Sequence, residues 1–245
     1  MDKKRNSVEL KITGRYALFS DPVTRVGGEK FSYQVPTYQA LKGIVESVYW
    51  KPTFIWYIDA VRIMKKIQTE AKGIKPIKMS GGNDLSYYTY LRDVEYQVLA
   101  HFEWNEYRKD LEADRNENKH HNISKRCVDK GGRRDVYLGT RECQGYVESC
   151  VFGEGEGEYD DYGELDFGVQ FHGYDYPDET GKDELAIRLW RAKMKDGFIE
   201  FPPPKDCDPS LRRFVRKMTA KEFVDKRNFS SVDDDLTVAD LLKED

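Results

Sequence analysis

Lys119, His120 and His121 stand side by side, and these two imidazoles are half of the four histidines in the 245-residue chain. An imidazole titrates near neutrality, so it can take a proton from one oxygen and give one to another without a metal. A neighbouring lysine can neutralise charge that develops on a phosphate. A phenol such as Tyr49 ordinarily titrates near pH 10; it is a poor base unless a cation lowers its pKa, and it can instead orient a hydroxyl. The residues by themselves also allow bland roles. His120 shares a helical face with Ile123 and Cys127, as a core-edge histidine does. It also falls in the first turn of its helix, where backbone N–H groups and the dipole favour an anion. Tyr49 stands four residues after Val45 and can pack on a sheet, and Lys119 can be a solvated charge. His121 projects about 100° away from His120 around the helix.

Other residues suit phosphate binding. Gly131-Gly132-Arg133-Arg134 joins bare backbone to two guanidinium groups, which can track phosphates, although glycines there also make an ordinary helix stop. Arg25, Lys30, Lys51 and the Lys65-Lys66 pair are further candidates for phosphate contact. Cys127, Cys143, Cys150 and Cys207 show no CxxC spacing. With the scattered histidines they offer no compact zinc set, so neither a metal nor a small-molecule cofactor is expected.

The elements that must position these groups can be read from periodicity. Val8, Leu10, Ile12 and Tyr16 alternate with Glu9, Lys11, Thr13 and Arg15, which is the period of a half-buried strand. Pro36-Thr37 opens a helix with the apolar stripe Leu41, Ile44, Val45 and Val48, and Pro52 ends it. Residues 53–64 are apolar on both faces and predict a covered strand. Residues 65–92 are irregular, basic and tyrosine-rich. A strand from Val94 to Trp104 follows, then a helix near Lys119 to Lys130 stopped by the glycine pair, then a strand around Cys143 to Phe152. The order β-α-β-β-α-β predicts an α+β protein with a ferredoxin-like, RNA-recognition-motif-like domain over residues 1–153.

A Gly/Glu/Asp/Tyr-rich spacer at 153–163 marks the expected boundary to a second domain, residues 154–245, read as a small antiparallel sheet. Its strands are expected around Leu165 to Phe171, Leu185 to Leu189 and Phe198 to Phe201, with Asp196-Gly197 as a hairpin turn. The acidic stretch from Asp233 to Asp245 reads as a short helix or a loose tail. The net charge of −4 divides unevenly: 26 Lys+Arg against 20 Asp+Glu over residues 1–153, and 14 against 24 beyond. That asymmetry predicts a polyanion-binding half joined to an acidic half facing elsewhere. Apolar residues make up 39% of the chain, enough for a core, with no run long enough to span a membrane. The first residues lead into strand sequence, not a signal-peptide core, and a reduced, cytoplasmic protein is expected.

Several segments carry a family resemblance. They include Tyr16-Ala17-Leu18-Phe19 with Asp21-Pro22, Gly27-Gly28-Glu29-Lys30, and the run Val35-Pro36-Thr37-Tyr38-Gln39-Ala40-Leu41-Lys42-Gly43. Tyr49-Trp50-Lys51-Pro52, Lys119-His120, Gly131-Gly132-Arg133-Arg134-Asp135 and Tyr137-Leu138-Gly139-Thr140-Arg141-Glu142-Cys143 complete the set. In this order, over roughly residues 8 to 225, the chain resembles the type I-C endoribonucleases of the CRISPR-associated RAMP superfamily. The resemblance implies a processing site of tyrosine, lysine and an adjacent histidine, which here fall on Tyr49, Lys119 and His120. It also implies metal-independent cleavage of precursor CRISPR RNA at repeat hairpins by 2′-OH attack, leaving a 2′,3′-cyclic phosphate and a 5′-hydroxyl. The implied partners are the repeat hairpin, the mature guide RNA whose 5′ handle stays bound, and the other subunits of the type I-C interference complex. A non-catalytic subunit that caps the guide's 5′ end is the rival reading, and metal-dependent cleavage of DNA is a third.

Overall fold

The computed structural model describes residues 4–22, 24 and 28–221. The alternation at the start becomes β1 (Val8–Ala17), with Val8, Leu10 and Ile12 buried and Glu9, Lys11 and Thr13 half-buried on the opposite face. A two-residue β2 (Lys30–Phe31) precedes α1 (Tyr38–Val48). Thr37 caps α1, its hydroxyl accepting from the Ala40 N–H at 3.2 Å. Leu41, Ile44, Val45 and Val48 form its buried stripe. Next come β3 (Phe54–Ile63), β4 (Thr69–Ile74) and β5 (Ser86–Trp104). Then follow α2 (Glu117–Asp129), β6 (Val136–Tyr137) and β7 (Gln144–Ser149).

Four of these strands lie side by side in the order β3–β5–β1–β7, antiparallel at each step. The two helices cover one face of them and close the core. Phe54, Trp56 and Phe102 from the sheet and Tyr38 and Tyr49 from α1 and its end are each at most 2% exposed. Burial of side chains this large stabilises by about 1.5–3 kcal/mol each. That apolar floor is what holds the polar groups described below at fixed positions.

The basic, tyrosine-rich segment 65–92, expected to be irregular, contains a hairpin instead. Thr69–Ile74 pairs antiparallel with Ser86–Leu91, which lengthens β5 to 19 residues. Along β4 the side chains alternate only between exposed and half-buried, so no apolar alternation marks it in the sequence. The run Tyr87-Tyr88-Thr89-Tyr90 has the aromatic and β-branched composition that suits a pleated surface.

After the spacer, β8 (Glu164–Asp175) pairs with β9 (Glu184–Lys195), with a single helical turn, α3 (Pro177–Thr180), between them. Asp196 and Gly197 both have positive φ, 47° and 82°, as a two-residue hairpin turn demands. They lead into β10 (Phe198–Glu200), which pairs with Ala60–Arg62 of β3. β11 (Arg212–Lys217) pairs with the start of β9. The strands beyond residue 163 are therefore hydrogen-bonded through β10 to the same sheet as β1. The acidic stretch Asp233 to Asp245 lies outside the described residues. Among the described residues, no helix is long and apolar enough to cross a membrane.

Candidate active site

Two helix ends meet at the candidate site. α1 stops at Tyr49, which turns to an extended conformation while its N–H still reaches the Val45 carbonyl. Its own carbonyl accepts from Trp56 Nε1 at 2.7 Å, which pins the turn to β3. α2 starts after a 3-10 turn, Lys109–Asp114, and is capped by Asn116, whose Oδ1 accepts from the Lys119 N–H. This start turns His120 toward the sheet, against Phe54, Trp104 and Phe102 at ring separations of 5.2, 5.9 and 6.4 Å.

His120 is fully buried, and both of its nitrogens are engaged. Nδ1 lies 2.8 Å from Tyr49 Oη, and Nε2 lies 2.8 Å from the backbone carbonyl oxygen of Asp114. A carbonyl only accepts, so Nε2 carries the hydrogen, and in the neutral imidazole Nδ1 accepts from the Tyr49 hydroxyl. The phenol oxygen keeps lone-pair capacity for a further donor. Burial, reinforced by the Asp114 charge and opposed by Arg133, pushes the Tyr49 phenol above its usual range. It is therefore a neutral hydroxyl at physiological pH.

Lys119 stands on the outer side of α2, half exposed, with Nζ 2.5 Å from Asp114 Oδ1. Thr53 Oγ1 donates to the other carboxylate oxygen at 2.9 Å. The Lys119 hydrogen bond first, then Thr53 and His120, hold the Asp114 carboxyl below the usual carboxylate range. His121 faces elsewhere, its Nε2 3.0 Å from the Ser7 carbonyl oxygen.

Tyr49 borders a pocket of about 520 Å³ that Lys51, Arg108, Arg133 and Arg134 also line, with Glu46 as its one acidic residue. Arg133 places its guanidinium 5.8 Å from the Tyr49 ring centre. Arg108 is held by Asp110 at 2.7 and 2.9 Å. Among the described residues Lys51 and Arg134 make no ion pair, and so both are available to an anion.

The glycine pair explains how the arginines arrive there. Gly131 and Gly132 have φ of 78° and 105°, a region that glycine enters without strain. Their N–H groups return to the carbonyls of Val128 and Cys127 at 2.9 and 2.7 Å, which ends α2 and leaves those two donors engaged. The Arg133 N–H then reaches the Val48 carbonyl at 3.2 Å, at the end of α1. The pair thus acts as a helix stop that carries Arg133 and Arg134 to the pocket.

Of the residues singled out by sequence, Tyr49, His120 and Lys119 are joined in one network through Asp114, and Tyr49, Lys51, Arg133 and Arg134 share one pocket. Lys30 is elsewhere, with Nζ 4.8 Å from the Tyr88 ring centre and beside a different pocket. Arg25 lies outside the described residues. Sequence reasoning missed Asp114, Thr53 and Arg108. No local pattern marks them, because they reach the site across a 3-10 turn and a strand start.

A family model for Cas5d, described as "CRISPR-associated protein (Cas_Cas5)", matches residues 7–202. The chain belongs to the Cas5d family of CRISPR-associated proteins. A curated Cas5d relative from Thermus thermophilus, named a CRISPR pre-crRNA endoribonuclease, is 26% identical, covering 81% of this chain and 92% of its own. A second with the same name, from Mannheimia succiniciproducens, is 28% identical over 81% of this chain and 96% of its own. Among solved structures, a CRISPR-associated protein matches with a TM-score of 0.71 and 38% identity, over 82% of this chain and 94% of that one. A functionally uncharacterized protein from Streptococcus mutans matches with a TM-score of 0.68 and 39% identity, over 82% and 95%. The Cas5d match covers every element that builds the pocket and the Tyr49–His120 pair.

Proposed function

We propose that this chain is an endoribonuclease that cuts precursor CRISPR RNA at its repeat hairpins. We further infer that it then stays on the 5′ handle within the type I-C interference complex. The observation that carries the reading is the 2.8 Å hydrogen bond from Tyr49 to a buried imidazole, set beside a pocket lined by arginine and lysine. The names of the two curated relatives support the substrate. A subunit that merely caps an RNA end has no use for a phenol coupled to an imidazole.

In this reading each group has a step. Tyr49 is 1% exposed in the free protein, so RNA entering the pocket must first uncover its hydroxyl. The 2′-oxygen then attacks the adjacent phosphorus as its proton passes to Tyr49 Oη, and the phenol's own proton moves to His120 Nδ1. The P–O5′ bond breaks, and the 5′-oxygen takes a proton from solvent that the imidazolium later returns. The products are a 2′,3′-cyclic phosphate and a 5′-hydroxyl, and no metal takes part. Arg133 and Arg134, which line the pocket with Tyr49, hold the charge that gathers on the phosphate, and Lys119, held at Asp114, adds positive charge from the other end of the network. Lys51 extends the cationic path for the RNA backbone. The high pKa of Tyr49 suits this relay, since a phenol that stays neutral passes a proton on and does not hold a negative charge.

The strand order β3–β5–β1–β7 with two covering helices supports a ferredoxin-like reading of residues 1–153. The antiparallel pairing of β8, β9 and β11 supports reading residues 154–245 as a small antiparallel unit, one that β10 joins to β3 as an extension of the same sheet. Four free thiols suit a reducing cytoplasm.

The test is a repeat-hairpin RNA incubated with the protein in excess chelator, beside the same RNA with one 2′-deoxy sugar at the cut. The normal RNA is expected to be cut and the deoxy RNA to bind and stay whole. A requirement for added metal, or a cut deoxy RNA, overturns the mechanism.

A further inference from the structure

The imidazole of His120 is closed off from water, with Phe54, Phe102 and Trp104 around it. A charge formed there is strongly disfavoured unless a counter-charge meets it. The polar groups in contact with the ring are Tyr49 from the end of α1 and Asp114 from the 3-10 turn. Lys119 of α2 and Thr53, just before β3, meet the ring only through the Asp114 carboxylate, and Arg133 faces the Tyr49 ring. β3 and β5 present aromatic rings.

We propose that Asp114 is a positioning residue for the cleavage, working through His120. Its backbone carbonyl fixes the hydrogen on Nε2 and so leaves Nδ1 open to the Tyr49 hydroxyl. Its carboxylate, with Oδ2 3.4 Å from Nε2, stabilises the positive charge that the imidazole acquires. The same carboxylate holds Lys119 at 2.5 Å, so one side chain aligns two members of the trio. This inference rests on the reading of Tyr49 and His120 given above.

Two features argue against an incidental surface ion pair. The carboxylate is held from three directions, by Lys119 on Oδ1 and by Thr53 and His120 on Oδ2, so its position is determined. It is also kept ionised by those partners through the neutral and mildly acidic range. A fixed anion behind an imidazole, with a hydroxyl in front, orders proton transfer in one direction.

The test is Asp114→Asn, which keeps the shape, the backbone carbonyl and a hydrogen-bond acceptor but removes the charge. Single-turnover cleavage at saturating protein is expected to fall about 10- to 100-fold, with hairpin affinity within a few-fold of wild type. The acidic limb of the pH–rate profile is expected to move to lower pH, because the protonated imidazole has lost its counter-charge. Asp114→Glu, which retains the charge, is expected to keep the wild-type limb. Tyr49→Phe and His120→Ala run in parallel. If both are slow while Asp114→Asn cleaves at the wild-type rate with an unmoved limb, Asp114 has no such role and the site reading stands. A slow Asp114→Asn with an unmoved limb also overturns the proposal, since loss of structure alone does that. If Tyr49→Phe and His120→Ala cleave normally, the site reading fails and this inference fails with it. Should Asp114→Asn not fold, the wild-type protein decides through the ¹⁵N shifts of His120. An Nε2–H tautomer is expected, and an Nδ1–H tautomer overturns the assignment.

Discussion

Tyr49→Phe removes one oxygen from a side chain that is 1% exposed, and the structure separates what this does to stability from what it does to cleavage. The ring keeps its packing, with Phe54 at 5.7 Å and the Arg133 guanidinium at 5.8 Å. What is lost is the 2.8 Å hydrogen bond, which leaves Nδ1 of a buried imidazole without a donor. An unsatisfied buried acceptor costs about 1–3 kcal/mol. In a chain of this size each kcal/mol lowers the melting temperature by about 2–4 °C. With a typical stability of about 8 kcal/mol, at least about 5 kcal/mol remains, so at 25 °C fewer than about one molecule in a thousand is unfolded. Unfolding therefore cannot account for a large loss of rate. Loss of the proton relay is expected to slow cleavage by about 10²–10⁴, a rise of about 2.7–5.4 kcal/mol in the barrier. The assay is single-turnover cleavage with protein in saturating excess, beside direct measurement of hairpin binding and thermal melting. A rate within about threefold of wild type refutes the relay, since the hydroxyl is then not on the proton's path. A rate that falls only in step with affinity refutes it as well, because it assigns the hydroxyl to binding.

His120→Ala is expected to slow single-turnover cleavage by a similar about 10²–10⁴, whereas His121→Ala, whose ring reaches the Ser7 carbonyl, changes it by less than about tenfold; the opposite ranking reverses the assignment. Arg133→Ala and Arg134→Ala are each expected to flatten the plot of log affinity against log salt by about 0.7–0.9, and an unchanged slope for both removes the pocket from the RNA interface. Burial first, and then the Arg188 charge, push the imidazole of His172 down to about 3. The unfolded chain takes that proton near pH 6.5, so stability is lost as pH falls below about 6.5, by about 3 kcal/mol at pH 4. His172→Gln is expected to reduce that slope by about 1.4 kcal/mol per pH unit in urea titrations between pH 4 and 6.5, and an identical slope shows that another group controls acid stability.

What could be read from the sequence depended on whether burial was one-sided. Val8, Leu10 and Ile12 face the helices while Glu9, Lys11 and Thr13 do not, so β1 announces itself by alternation. α1 does the same through Leu41, Ile44, Val45 and Val48. β4 has no buried face, and its residues 69–74 carry no such signal. β11 is almost wholly exposed and equally silent. At the site, periodicity places His120 on the inward face of a helix but does not distinguish a packed imidazole from a reacting one. The pairing with Tyr49 comes from family resemblance, and it links residues 71 positions apart. Asp114 has neither aid, because it sits in a polar run and reaches His120 through its backbone carbonyl, which any residue possesses. The arginines at 133 and 134 are legible as cations, but their placement depends on a helix stop folding back onto the end of another helix.

The burial of His120 also sets how the protein meets histidine-directed reagents. Of the four histidines, His101, His120 and His172 are at most 4% exposed, and His121 alone is partly open to solvent. An acylating probe such as diethyl pyrocarbonate therefore marks His121 first, and that label leaves the proton relay intact. Modification of His120 must wait for α2 to lift from the sheet, so its labelling rate is a clock for the opening of this helix and not a measure of how reactive the imidazole is.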